Sequence, residues 1–241
     1  MDDGREAASL TPDMSSSRTN QIRRPDGAKR AEIIDAATRR FGRDGYENTR
    51  WADIASDVGL GPTALYHYFE SKQHCLFVIM GGAVTDFRAR FARLTDDDAR
   101  DEPDSGRYYL ETMVAVCRDC FRLAEHEIQR NRVLVAEQGL LANPRESPRE
   151  EQARQAARDQ SRGLERAWAA FLAGAMEQGV IPRADPRLLA RAILGLYNSV
   201  WHWYRPDGTI ALPHVAGFFT ARCLALAGVT PVAAGSTLPG A

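Results

Sequence analysis

Apolar residues recur along most of this chain at the three- and four-residue spacing that places them on one face of an α-helix. The alternating pattern that is typical of β-strands is almost absent. In the first periodic segment Ile34, Ala37 and Phe41 share one stripe, and Asp44-Gly45 marks its end. We therefore expect an all-α fold of about nine helices, at residues 27–43, 51–58, 62–69, 72–94, 108–127, 129–141, 149–178, 185–204 and 212–226.

The two ends of the chain do not show this periodicity. Residues 1–26 are polar and rich in Ser, Arg and Asp, and residues 230–241 consist mainly of small residues, Pro and Thr. Neither segment has enough apolar residues to form a core, so we expect a disordered N-terminal arm at 1–26 and a flexible tail at 230–241. The arm carries Arg18, Arg23 and Arg24, which could order over DNA or serve only as a solubilising tail.

Residues 46–72 predict two short helices joined by a glycine-containing turn at 59–61, with Pro62 in the first turn of the second helix. This is the pattern of a helix-turn-helix, whose second helix can enter a major groove. Because Leu65 and Phe69 face the core, the outward residues of the second helix are Thr63, Ala64, Tyr66, His67 and Tyr68. Their hydroxyls, ring nitrogen and methyl suit phosphates and base edges, although one of the two tyrosines is expected to pack against a neighbouring helix.

Charge is distributed unevenly along the chain. The formal net charge of −1 does not by itself indicate a nucleic-acid-binding protein. Between residues 18 and 50, however, nine basic residues stand against five acidic ones. Beside a helix-turn-helix, this local positive excess favours DNA as the partner; without the motif it would indicate an ordinary solvated surface.

Five short segments around this motif have a characteristic spacing: FGRDGY (41–46), IA (54–55), VG (58–59), LYHYF (65–69) and SK (71–72). They resemble the N-terminal DNA-binding domain of the TetR family over about residues 29–76. The resemblance implies that Tyr66 and Lys72 contact phosphates. It places four further residues at or near base edges: Thr63, Ala64, His67 and Tyr68.

The start of the helix predicted at 51–58 departs from the family pattern. The resemblance implies that Arg50 and Trp51 lie against the DNA backbone. Family members commonly carry Thr or Ser where this chain has Arg50, so we expect Thr49 or Asn48 to cap the helix. We include Thr49 among the predicted DNA-binding residues.

The resemblance divides the chain into a helix-turn-helix DNA-binding domain at 27–75 and a larger ligand-binding and dimerisation domain at 76–229. In TetR-like proteins the last two helices pair with those of a second copy to form the dimer interface. Residues on the helices predicted at 185–204 and 212–226 fit that role: Gly195, Ser199, Phe218, Phe219 and Arg222. The alternative is that they pack within one chain.

The second domain is expected to hold a small-molecule pocket between its helices. Candidate lining residues are Met113, Cys117, Phe121, Leu134, Trp168, Phe171 and Tyr197. Each could instead fill the core, since Met and aromatic residues are the default filling of a helical bundle. Residues 198–208 resemble the sensor domain of actinobacterial TetR-type repressors of fatty-acid and sterol degradation, which implies a hydrophobic or acyl-CoA-like effector.

Catalytic motifs would indicate a different class of protein, an enzyme. The sequence has no nucleophile elbow, glycine-rich phosphate loop, metal-binding His pair or paired carboxylates in a credible context, so we predict no enzyme, cofactor or metal. Cys117 and Cys120 have redox-motif spacing, but in a helix this only places them on one face. A helical enzyme or a scaffold protein without DNA binding is the alternative function.

Hydropathy and the N-terminal residues indicate the compartment. The chain starts without the apolar segment of a signal peptide, and no apolar run approaches the roughly 20 residues of a membrane helix. We therefore expect a cytoplasmic protein that does not bind a membrane and keeps its cysteines reduced. The predicted function is that of a homodimeric, ligand-responsive regulator, a repressor by resemblance, which binds a near-palindromic operator in double-stranded DNA.

Overall fold

A computed structural model of the chain describes residues 26–95 and 105–229. The expected N-terminal arm up to residue 25 and the expected tail at 230–241 lie outside the described residues. The described residues form helices and no strand: α1 (Asp26–Asp44), α2 (Trp51–Asp57), a 3-10 helix (Pro62–His67), α3 (Lys72–Thr95), α4 (Ser105–Asp119), α5 (Glu125–Glu137), a second 3-10 helix (Gln138–Ala142), α6 (Pro148–Glu177), α7 (Pro186–Trp203) and α8 (Leu212–Leu226). The predicted all-α fold is confirmed.

The break between α4 and α5 differs from the prediction. Two helices were expected at 108–127 and 129–141, whereas α4 ends at Asp119 and α5 begins at Glu125. A new helix starts there because the Glu127 carboxylate accepts a hydrogen bond from the Ala124 backbone N–H at 2.7 Å. Cys120 and Phe121 are buried like the helical residues before them, so the apolar periodicity continues across the break and conceals it.

Helix starts elsewhere follow from local sequence. The Asp185 carboxylate accepts from the backbone N–H groups of Arg187 and Leu188, at 2.8 and 3.1 Å, and Pro186 occupies the first turn of α7. Ser147 accepts from the Glu150 N–H at the start of α6, which also has a proline in its first turn. These caps satisfy N–H groups that have no partner within a helix.

Two apolar clusters organise the molecule. The first, which we call the head cluster, joins α1, α2 and the 3-10 helix Pro62–His67 to the first half of α3, and Val133 of α5 completes it. The second, the body cluster, lies among the second half of α3 and helices α4 to α8. Helix α3 therefore passes through both clusters, and the boundary predicted at residue 75 falls inside it. Within the described ranges no helix is long and apolar enough to cross a bilayer.

Candidate nucleic-acid interface and internal cavity

The helix-turn-helix is built by α2, a glycine turn and the 3-10 helix Pro62–His67. Gly59 has a φ of +65°, which favours glycine, and the Leu60 N–H donates to the Ala55 carbonyl at 2.9 Å to close the turn. Helix α2 is braced against α1 by a two-bond fork from Arg40 to Asp57, at 2.5 and 2.7 Å. These hydrogen bonds hold the pKa of the Asp57 carboxyl below its ordinary value.

The 3-10 helix divides its side chains as expected. Leu65 and Phe69 are fully buried, whereas Tyr66 is 54% exposed. Thr63 and His67 are also exposed, and Ala64 and Tyr68 are half-buried. Tyr68 packs partly against the head cluster, so of the two tyrosines it is the one that packs against the protein. The exposed side chains leave a surface of hydroxyl, imidazole and phenol groups that a DNA groove could meet.

The cap expected for α2 is absent, and this part of the prediction is wrong. Arg50 is the N-cap residue and its side chain makes no capping bond. The Thr49 hydroxyl donates to the Gly45 carbonyl at 2.8 Å, and the Asn48 amide donates to the Asp44 carbonyl at 3.0 Å. Both side chains therefore serve the C-terminal end of α1, whose carbonyls otherwise lack helical partners.

The Thr49 side chain is buried, and a contact between Thr49 and DNA stays a prediction. Trp51 is half-buried, with its ring edge-on to Phe69 at 6.3 Å between centroids. Arg50 is exposed. Of the three predicted contact residues at 49–51, Arg50 is the one with an open side chain.

Lys72 has a structural role that the sequence did not reveal. Its ammonium donates to the backbone carbonyls of Tyr46 and Thr49, at 2.8 and 3.1 Å, and lies 4.1 Å from the centre of the Tyr46 ring. It thereby ties the start of α3 to the turn before α2. A phosphate contact by Lys72 stays a prediction.

A cavity of about 540 Å³ lies between α3, α5, α6 and α7 and opens to the surface beside exposed residues such as Gly139 and Arg191. We call it the internal cavity because its inner end reaches the buried Asn131 and Tyr197. Of the predicted lining residues, Leu134 and Tyr197 border it, together with Phe87 and Asn131, which the sequence analysis missed. The buried Asn131 amide donates to the Tyr197 hydroxyl at 3.2 Å. Residues so far apart in sequence give no local signal that they meet.

The other predicted lining residues belong to the body cluster. They are Met113, Cys117, Phe121, Trp168 and Phe171, and all are buried. Three of them, Cys117, Phe121 and Trp168, border a small cavity of about 10 Å³ that shares Tyr197 with the larger one, so both a core role and a ligand-lining role stay predictions. The Cys117 thiol has its pKa raised by its hydrogen bond with Cys223 and by burial, and burial raises the pKa of Cys120. Thiols that resist ionisation are poor nucleophiles, which fits a structural role for this pair.

Helices α7 and α8 present apolar side chains on their outer surface. Phe218 is 52% exposed, and Leu188, Trp203 and Leu226 are exposed to a similar extent. The predicted interface residues Gly195 and Arg222 are exposed, and Ser199 and Phe219 are half-buried. The Arg222 guanidinium lies 4.8 Å from the centre of the Phe218 ring. We refer to this surface of α7 and α8 as the outer face.

Comparison with known proteins agrees with this geometry. Residues 33–79 match the family of bacterial regulatory proteins, tetR family, and residues 111–227 match the tetracyclin repressor-like C-terminal domain. The chain is 27% identical over 208 residues to the HTH-type transcriptional repressor KstR2 of Mycobacterium tuberculosis, which covers 84% of this chain and 94% of KstR2. It is 35% identical over 60 residues to the HTH-type transcriptional regulator BetI of Agrobacterium fabrum, which covers 25% of this chain and 29% of BetI.

Solved structures share the fold. AibR in complex with isovaleryl coenzyme A and operator DNA aligns with a TM-score of 0.63 at 21% identity, over 80% of this chain and 97% of AibR. KstR2 of Mycobacterium tuberculosis aligns with a TM-score of 0.63 at 24% identity, over 85% of this chain and 95% of that one. With both of its halves matched, the chain belongs to the TetR family of DNA-binding transcription regulators, and not to a family of enzymes.

Proposed function

We propose that this chain represses its target genes as a homodimer and leaves the operator when a hydrophobic, acyl-thioester-like molecule occupies the internal cavity. The observation that carries this proposal is the course of α3. One end of α3 follows directly on the exposed helix Pro62–His67, and its middle borders the cavity through Ala83, Val84 and Phe87. A change in the cavity therefore acts on the same rigid helix that supports the helix Pro62–His67. We call Pro62–His67 the reading helix and its exposed side the reading surface.

The outer face supports a dimer. Four large apolar residues exposed on two adjacent helices are costly in water and suit a partner surface. A second copy packed there would present two reading helices, and two-fold symmetry matches a near-palindromic operator with half-sites about 34–36 Å apart.

We infer a cytoplasmic location, because a regulator of bacterial genes acts at the chromosome.

The cavity and the relatives support the effector class. Its walls combine apolar residues such as Leu134 and Leu164 with polar and charged side chains, among them Asn131, Asn198 and the Glu165–Arg191 ion pair. A cavity of this kind suits an apolar body with a few hydrogen-bonding groups. KstR2 is similar to this chain along most of its length, and the related fold of AibR was solved with isovaleryl coenzyme A.

Release follows from linkage. The effector is expected to bind more tightly to a conformer in which the two reading helices are wrongly spaced for the operator. Bound effector then lowers the affinity for the operator by the same factor by which bound operator lowers the affinity for the effector. Allosteric proteins typically work with a coupling of about 1–3 kcal/mol, or roughly 5- to 150-fold.

The test begins with genomic DNA. Fragments retained by the purified full-length protein should share a near-palindromic sequence, and acyl-coenzyme A esters of increasing chain length should release them. Tyr66→Ala should weaken binding about tenfold or more, because it removes an exposed ring and hydroxyl from the reading surface. Leu110→Ala, an exposed apolar residue on α4, is the matched control and should bind as the wild type does. Failure to retain any fragment, or full binding by Tyr66→Ala, contradicts the proposal.

A further inference from the structure

A groove rich in arginine lies where the head meets the body. It has a volume of about 960 Å³ and runs between α1, α5 and residues 205–207. Helix α1 contributes Arg39 and Arg43, α5 contributes Arg130 and Arg132, and Arg205 follows α7. Three carboxylates, Asp35, Glu125 and Asp207, also line it, so cations predominate.

Some of these arginines are neutralised by neighbours. The Arg130 guanidinium lies 2.6 Å from the Asp86 carboxylate on α3 and 3.9 Å from Asp35 on α1. Arg43 pairs with Asp44 at 2.7 Å. These two side chains are therefore held by carboxylates of the protein.

Arg132 and Arg205 are not held in this way. Within the described part of the chain, the Arg132 guanidinium donates to the Gln129 side-chain carbonyl at 3.3 Å, and Arg205 donates to the Tyr204 backbone carbonyl at 3.1 Å. Neither makes a hydrogen bond to a carboxylate there. Burial and the neighbouring Arg205 lower the pKa of Arg132, against the opposing effect of Asp207. Arg132 and Arg205 line the same groove, where like charges repel each other, and an anion bound between them would remove that cost.

The groove is also close to the internal cavity. A narrow pocket of about 20 Å³ lies between them and is bordered by Arg130, Asn131 and Tyr197. It shares Asn131 and Tyr197 with the cavity and Arg130 with the groove. The groove and the cavity thus border consecutive residues of α5, Arg130 and Asn131.

We propose that the groove is an anion site for phosphate esters or pyrophosphate, with Arg132 and Arg205 as the main donors. Guanidinium groups suit these oxygens because they can donate two parallel hydrogen bonds. That the anion is the phosphate end of the effector rests on the proposed function. That the groove binds an anion rests on its charges alone. Because Arg39 lies on α1 and Arg132 on α5, an anion that contacts both would tie α1 to α5.

The experiment measures anion binding to the full-length protein by titration calorimetry. The probes are coenzyme A without an acyl chain, and inorganic pyrophosphate. Arg132→Gln and Arg205→Gln should each weaken binding about tenfold or more, because each removes charge-assisted hydrogen bonds. Arg162→Gln is the matched control, since Arg162 is an exposed arginine on α6, paired with Asp159, and it should bind as the wild type does.

The two probes distinguish the sources of the anion. Binding of pyrophosphate in competition with coenzyme A indicates a site for any polyphosphate, whereas binding of coenzyme A alone indicates a site for the effector's own phosphates. The proposal is overturned if neither probe binds the wild type, or if all three variants bind equally well. Should Arg132→Gln unfold, Arg205→Gln in the exposed segment supplies the same test. Operator binding without effector is measured separately. Failure of the proposed function would appear in that measurement, whereas failure of the anion site would appear in the titration.

Discussion

The Lys72 ammonium connects two parts of the head that are distant in sequence. Its bonds to the carbonyls of Tyr46 and Thr49 hold the turn from which α2 starts. Hydrogen bonds from a charged group contribute about 1.5–3 kcal/mol, and the contact of the ammonium with the buried Tyr46 ring adds roughly 0.5–2 kcal/mol. The reading surface thus depends on a lysine that faces the protein.

Lys72→Met should therefore lower the free energy of unfolding by about 1–3 kcal/mol, because two partly buried hydrogen bonds from a charged donor are lost. Urea unfolding measures this. A reduced salt dependence of operator binding for Lys72→Met would add the predicted phosphate contact to this structural role. Arg50→Gln, which removes an exposed charge, should reduce the slope of that salt dependence by about one unit and leave stability unchanged. Full stability of Lys72→Met would contradict the structural role.

His74 makes the head sensitive to acid. It is buried, its Nδ1 accepts from the Glu70 backbone N–H at 3.2 Å, and its pKa is lowered by burial and then by Arg149 and Arg30. In the unfolded chain the group takes up a proton below about pH 6.5, whereas in the folded chain it stays neutral to lower pH. Stability from this group is therefore complete above pH 6.5 and is lost as the pH falls.

We expect urea midpoints of the wild type to decrease between pH 7 and pH 5, and His74→Gln to show a smaller decrease, because glutamine has no proton to take up. His126→Gln, at an exposed histidine on α5, is the control and should follow the wild-type profile. Identical pH profiles for His74→Gln and the wild type would rule out this role of His74.

At the scale of elements, α4 and α6 approach closely at one glycine. A Cβ added at Gly174 of α6 would lie 2.7 Å from Cζ and 2.9 Å from Cε1 of the Tyr109 ring on α4. A rigid ring in a packed core cannot move aside cheaply. This glycine is needed for space, since nothing about its backbone requires it.

Gly174→Ala should lower the free energy of unfolding by about 1–3 kcal/mol, because overpacking outweighs the roughly 1 kcal/mol that alanine adds in a helix. Gly82→Ala on α3 is the matched control: a Cβ there meets nothing within 4 Å, so stability should stay or rise. Thermal unfolding measures both. Equal stabilisation of the two variants would contradict the close approach.

Helix α6 also joins the cavity to the reading helix. Its middle borders the cavity through Ser161, Leu164 and Glu165, and at its start the Ser147 hydroxyl donates to the Glu70 carboxylate at 2.5 Å. The Ser71 hydroxyl donates to Glu150. The short connection between the 3-10 helix Pro62–His67 and α3 is thus held by the first turn of α6.

Two substitutions at Ser147 distinguish its role as the N-cap of α6 from its hydrogen bond to Glu70. Ser147→Ala loses both and should cost about 0.5–2 kcal/mol of stability. Ser147→Asp keeps the cap but places a second carboxylate beside Glu70, so stability should be close to the wild type while amide hydrogen exchange at 69–72 becomes faster. Unchanged exchange in both variants would show that α6 does not restrain this connection.

At the scale of the whole molecule, the outer face of α7 and α8 is the unpartnered surface on which the proposed dimer rests. Phe218→Glu should produce a monomer at micromolar concentration, because a buried unpaired carboxylate is strongly unfavourable in an apolar interface. Analytical ultracentrifugation measures this, and operator affinity should fall with it. Leu110→Glu on α4 is the control and should stay dimeric; a monomeric wild type would contradict the dimer.

The sequence by itself determined the helical class, the helix-turn-helix and the inward and outward sides of the helix Pro62–His67, because these depend on spacings within one or two turns. Tertiary structure decided which polar groups meet: Lys72 with the turn at 46–49, Thr49 with α1 in place of α2, and Asn131 with Tyr197 beside the cavity. It also buried most pocket candidates in the body cluster and brought Arg132 and Arg205 into one groove. Those contacts depend on how separate helices pack, and a periodic pattern specifies which face is buried without specifying what it is buried against.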